Sequence, residues 1–153
     1  MPSFQGLFYA GHEIPTMEEA RGKIVMINFK DYNRPAEDKF GLIDKGTASS
    51  VENEYEPGCN PKSKGNCNGY INALKGNMEE ALGCENCDQL YITYLSAQDW
   101  WAGRTPEDYA DTVNPSIRTW IEGLDVEGPT QLGLVMMDYP SAGIIEAVYS
   151  KNF

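Results

Sequence analysis

The feature that most constrains this chain is its alternation of short apolar runs with amphipathic stretches of helical period. Lys23-Ile-Val-Met-Ile-Asn-Phe29 is a nearly continuous apolar run that suits a strand buried on both faces, and Leu132-Gly-Leu-Val-Met-Met-Asp-Tyr139, ending at Pro140, reads as another strand. Leu90-Tyr-Ile-Thr-Tyr-Leu95 is rich in β-branched and aromatic side chains and reads as a third strand. Ser50 to Tyr55 alternates Val51, Asn53 and Tyr55 with polar neighbours and gives a fourth. Between them, Asn68 to Leu82 sets Ile71, Leu74, Met78, Ala81 and Leu82 on one helical face. Thr105 is the expected N-cap of another helix, with Pro106 at its first position and Glu107 and Asp108 in its first turn. Asn114 to Gly123 reads as a further helical piece carrying Ile117, Trp120 and Ile121, and Ser141 to Lys151 as the last, with Ile144, Ile145 and Val148. Glu13 to Arg21 is expected to be a polar loop.

Buried strands alternating with helices imply a parallel α/β sheet. Four such units make half of an eight-fold α/β barrel, and an open sheet of that size leaves two edges to be covered. The expectation is one α/β domain over residues 1–153, with about four parallel strands. Length and apolar content suffice for one core: 153 residues, 41% hydrophobic.

Charge and cysteines narrow the function. A net charge of -11 without a Lys/Arg run excludes a phosphate-gripping face, so no nucleic-acid partner is expected. It also opposes electrostatic docking on anionic membranes. No apolar run approaches the ~20 residues of a membrane span, and Met1 to Leu7 lacks the basic start and long apolar stretch of a signal peptide. The chain is expected to be soluble as written, or to have lost an upstream segment. Cys59, Cys67, Cys84 and Cys87 admit two disulfides, a zinc site or free thiols. The C-x7-C arm is wider than a usual zinc knuckle, and the surrounding Gly, Asn and Pro suit disulfide-stapled loops. Cys59–Cys67 is the easier bridge; Cys84–Cys87 would close a very short loop.

Five blocks in order carry a resemblance. Ile14-Pro-Thr-Met-Glu-Glu-Ala-Arg-Gly-Lys-Ile-Val25 resembles the "IPTLGEARGKIVL" segment of the bacterial-type phosphatidylinositol-specific phospholipases C. Val51-Glu-Asn-Glu-Tyr55 is similar to that family's "VQDxY" strand, and Leu132 to Pro140 to its final "LGIxxMDFP" strand. Leu90 to Tyr94 and Tyr109-Ala-Asp-Thr-Val-Asn-Pro115 match between them. The resemblance runs from Ile14 to Phe153 and implies the C-terminal half of a TIM-type (β/α)8 barrel. Its members cleave the glycerol–phosphate bond of phosphatidylinositol to a cyclic inositol phosphate, without metal or other cofactor. Two histidines serve as base and acid, helped by an arginine and an aspartate, all in the family's N-terminal half.

This chain has one histidine, His12, outside those motifs, and it reads as an ordinary loop residue. Base-then-acid chemistry needs two positioned groups, so the resemblance implies a half that lacks the catalytic pair and is inactive alone. What it retains is support. Asp138, at the end of the last strand, matches the aspartate that orients the base histidine; the plainer reading is a strand-end cap. Tyr55 matches a tyrosine stacked on the inositol ring, or else is a core residue. Asn53 stands where the family usually has an aspartate bonding an inositol hydroxyl, and keeps the bond without the charge. Lys30 is a substitute for a basic residue after the "GKIV" strand, though Phe29 holds the ungapped position. Asp31 to Gly46 does not align with the family's substrate loop. Trp100 and Trp101 fall where the family has an aromatic rim loop at the membrane interface, a place tryptophan suits because its ring is apolar and its N–H stays wet.

The implied partners are phosphatidylinositol or an inositol phosphodiester, a peripheral membrane surface, and an N-terminal half-barrel or a second copy of the chain. The cysteines suit a secreted, extracellular protein. A non-catalytic inositol- or membrane-binding module, or a secreted effector, is the competing reading.

Overall fold

The computed structural model describes residues 4–9, 11, 14–28, 42–44, 49–84, 89–127 and 130–151. They fall into two compact units, residues 1–49 with 86–90 and residues 50–85 with 91–153.

In the first unit a 3-10 turn at Phe4–Leu7 leads to a parallel bridge between Phe8 and Ile24. The stretch expected to be a polar loop holds a short helix, α1 (Met17–Ala20). Its cause is a capping box: Thr16 Oγ1 accepts from the Glu19 N–H at 3.3 Å, while Glu19 Oε2 accepts from the Thr16 N–H at 2.8 Å. Strand β1 (Met26–Asn28) pairs in parallel with β2 (Leu42–Asp44), with Ile27 opposite Ile43. The β2 strand lies in the segment the sequence left unassigned.

The second unit is built on a three-stranded sheet in the order β3 (Ser49–Glu52), β4 (Leu90–Tyr94), β5 (Leu134–Met136). β4 and β5 are parallel, with Ile92 opposite Leu134 and Tyr94 opposite Met136. Strand β5 is shorter than its apolar run because Gly133 (φ 74°) and Tyr139 (φ 47°) take the backbone out of the extended region.

Helix α2 (Asn68–Leu82) buries Tyr70, Ile71, Leu74, Asn77, Met78 and Ala81, one face at helical spacing. Helix α3 runs unbroken from Pro106 to Glu122, where the sequence suggested two pieces. Its start is fixed by reciprocal bonds between Thr105 and Asp108. Pro115 lies inside it, at a usual cost of ~3 kcal/mol for an interior proline. Burial on both sides of that proline outweighs the cost: Tyr109, Val113, Ile117 and Ile121 are fully buried, each apolar one worth ~1.5–3 kcal/mol. Helix α4 (Ala142–Ser150) packs against α3 through Ile144 and Ala147. The core joins these helices to Leu95, Ala97, Leu132, Cys59 and Cys67.

Period-two alternation divides β5 between two faces. Val135 and Met137 pack against the helical core, whereas Leu134 and Met136 point away and stay exposed. The cysteines resolve toward disulfides. Cys59 and Cys67 are bridged, so neither is a thiolate for zinc. Cys84 is also disulfide-bonded; the expected pairing with Cys87 falls on a residue outside those described.

Candidate functional site

The segments leaving β3, β4 and β5 converge at one end of the sheet. Leu95, just past β4, donates its N–H to the Met136 carbonyl at 2.8 Å. Three residues on, the Gln98 N–H donates to the Tyr55 carbonyl at 3.0 Å, tying the β3 exit to the β4 exit. Asn53, Tyr55 and Asp138 therefore belong to neighbouring strand ends, the place where barrel enzymes carry functional groups.

Asp138 is half-buried, two residues past β5. Its backbone is held from α3: Asn114 Nδ2 donates to the Asp138 carbonyl at 3.0 Å and to the Tyr139 carbonyl at 3.4 Å. Asn114 is buried, and its Oδ1 has no partner. Tyr139 adopts φ 47°, a left-handed conformation costly for a residue of its size. A tight, clamped turn thus fixes where the Asp138 carboxylate starts.

Carboxylates set the electrostatics. Tyr70 donates its hydroxyl proton to the Tyr94 carbonyl at 3.0 Å. Burial first, then the charges of Glu52, Glu54 and, more weakly, Tyr109 and Asp138 hold its ionisation far above the usual phenol range. Burial also raises the Glu52 carboxyl, with repulsion from Glu54 adding to it and the Glu54 N–H bond opposing it. Glu52 Oε2 is buried without a partner. This end of the sheet is an acidic environment, fit to stabilise a cation or to orient a protonated base.

Asn53 is exposed, and Tyr55 is 49% exposed, its ring free to meet a ligand rather than packed as core. Trp100 and Trp101 are 74% and 93% exposed on a tight hairpin past β4. Lys30 and His12 lie outside the described residues. A cavity of about 550 Å³, lined by Pro61, Lys62, Asn68, Thr112 and Ser116, sits beside the disulfide loop rather than at the strand ends. Among the described residues no cluster of His, Cys, Asp and Glu has the form of a metal site.

Sequence reasoning missed Asn114, Tyr70 and the Asp99–Arg104 pair. Asn114 carried a usable signal, since it is the polar member of the buried series Tyr109, Ala110, Val113, Asn114, Ile117, Ile121. A polar group in such a series has to bond something.

No family model matches the chain. It is 24% identical over 145 residues to a 1-phosphatidylinositol phosphodiesterase of Listeria monocytogenes, covering 92% of this chain and 42% of the relative. Among solved structures, the phosphatidylinositol-specific phospholipase C of Listeria monocytogenes superposes with a TM-score of 0.76 at 20% identity, over 98% of this chain and 54% of the other. The Staphylococcus aureus phospholipase C gives 0.71 at 23% identity, over 99% and 55%. A further Staphylococcus aureus structure, concerned with modulation of that enzyme's membrane binding, gives 0.69 at 23% identity. The chain thus spans about half the length of the proteins it matches. Taken with the β–α order above, it has the α/β fold of about half a TIM-type barrel, and in sequence and fold it is similar to the bacterial phosphatidylinositol-specific phospholipases C.

Proposed function

We propose that residues 1–153 form the C-terminal, substrate-orienting half of a phosphatidylinositol phosphodiesterase barrel, and that this half alone does not turn over substrate. One observation carries the reading: the chain aligns over nearly all of its own length with about half of such an enzyme. The clamp on Asp138 at a strand end supports it. In this account Asp138 orients a base histidine delivered by the complementary half and stabilises the imidazolium that forms. Tyr55 stacks on the inositol ring, Asn53 bonds a ring hydroxyl, and Lys30 substitutes for the family's basic residue after the "GKIV" strand. The single histidine of the chain leaves the base-and-acid pair to that other half.

The complementary half is the favoured partner. Leu134 and Met136, 38% and 45% exposed on the face turned from the helices, supply an apolar lining for it. A second copy of the chain covering the same face is the competitor. The disulfides suit an extracellular setting. The exposed tryptophan pair favours one other reading, a binding module that keeps inositol and membrane contacts without catalysis.

The test of substrate orientation is an NMR titration of the chain with myo-inositol. Shifts at Tyr55 and Asn53 that vanish in Tyr55→Ala are the expected result. No shift at either residue at saturating inositol overturns it.

A further inference from the structure

The tryptophan hairpin is anchored to the disulfide-closed loop through one side chain. Asp99 and Arg104 exchange backbone bonds at 3.0 and 2.9 Å, closing a four-residue tip. Within it the Ala102 N–H donates to Asp99 Oδ1 at 3.0 Å, the Gly103 N–H donates to the Trp100 carbonyl at 3.2 Å, and Gly103 takes φ 65°. Arg104 Nη1 bonds Asp99 Oδ2 at 2.8 Å and, with the same nitrogen, the Cys59 carbonyl at 3.0 Å. Both members of the ion pair are largely covered, at 23% and 20% side-chain exposure. The fully buried Tyr109 hydroxyl donates to that same Cys59 carbonyl at 2.8 Å. Cys59 is itself fixed by the bridge to Cys67.

We propose that Arg104 is the positioning residue of a lipid-docking hairpin, and that the Cys59–Cys67 disulfide is its footing. The inference rests on the membrane reading of Trp100 and Trp101. Its chemistry is that of preorganisation. An apolar tip held in one conformation meets a lipid surface without first giving up loop entropy. Lipid is the fitting occupant because two neighbouring indoles stand clear of the protein while the chain as a whole is acidic. Insertion of indole rings rather than charge is then the available attraction, and it calls for a surface rich in zwitterionic lipid.

The experiment uses the intact chain with Trp120→Phe, so that fluorescence reports Trp100 and Trp101 alone. Arg104→Met and the double variant Cys59→Ser/Cys67→Ser are compared with it, each checked for fold by far-UV circular dichroism. Two quantities are read: fluorescence anisotropy without lipid, and partitioning onto phosphatidylcholine vesicles containing phosphatidylinositol. Arg104→Met is expected to lower the anisotropy and to weaken partitioning about five- to tenfold, the scale of a few dihedrals freed. The cysteine variant is expected to act in the same direction. Combined, the two changes should fall short of their sum, because they break one chain of contacts. Unchanged anisotropy and partitioning in a folded Arg104→Met overturns the clamp. If Trp100→Ala/Trp101→Ala partitions like its parent, the membrane reading fails, and the lipid-free anisotropy still decides whether Arg104 orders the hairpin.

Discussion

Asn114→Ala tests the clamp on Asp138. The substitution removes two donated bonds, to the Asp138 and Tyr139 carbonyls, each worth ~1 kcal/mol net. It also removes the unpartnered Oδ1, whose burial already costs the fold ~1 kcal/mol or more. The two carbonyls left without a donor and the small cavity vacated by the amide add ~1 kcal/mol, so the balance is a destabilisation of ~1–2 kcal/mol. With a urea m-value of ~2 kcal/mol/M, the unfolding midpoint should fall by ~0.5–1 M at constant m. Asn114→Asp sharpens the test. An ionised carboxylate has no proton to donate, so it would face two carbonyls from a buried position and should cost more than alanine, ~3 kcal/mol or above. Urea melts followed by tyrosine and tryptophan signals give both values. A midpoint for Asn114→Ala within ~0.2 M of the parent refutes the clamp. An aspartate variant no worse than alanine refutes the orientation of the amide.

Gly133→Ala should be poorly tolerated. Its new Cβ would lie 2.5 Å from the Tyr91 carbonyl oxygen at φ 74°, and thermal melts should show a loss of ~3 kcal/mol or more. Tyr139→Gly should instead stabilise by ~0.5–1 kcal/mol, because relief of a left-handed tyrosine exceeds the added chain entropy; a lower melting temperature speaks against strain there. Glu52 has its folded-state pKa raised. Its contribution to stability is therefore present below the ordinary carboxylate pKa and lost as pH rises through the folded value. Glu52→Gln should match the parent in acid and be the more stable at neutral pH. Equal stability of the two across that range contradicts the burial of its charge.

How far the sequence foretold this molecule depended on whether the signal was local. The helical face from Ile71 to Ala81 and the strand Leu90–Tyr94 follow from spacing and side-chain type, which burial then reinforces. The continuity of α3 was not legible locally: Pro115 argues for a break, while the fully buried Val113 and Ile117 on either side hold the helix together. The ends of β5 were hidden for the opposite reason: its apolar run continues, but the backbone turns at Gly133 and Tyr139 for tertiary reasons. Thr16 and Glu19 did spell a capping box, and α1 was legible to a closer reading.

At the candidate site, the strand-end positions of Asp138 and Tyr55 were reachable through motif and position. The groups that hold the site in place were not. Arg104 meets the Cys59 carbonyl 45 residues away, and Asn114 meets Asp138 across 24 residues, pairings that only the folded chain creates.

The central claim is that this chain orients substrate but lacks the base-and-acid pair. The most direct measurement is incubation of the purified 153-residue chain with phosphatidylinositol vesicles, assayed for cyclic inositol phosphate beside Asp138→Ala. No product above the buffer rate is expected from either protein. Product from the parent that disappears in Asp138→Ala would contradict it, because a catalytic base would then reside within these residues.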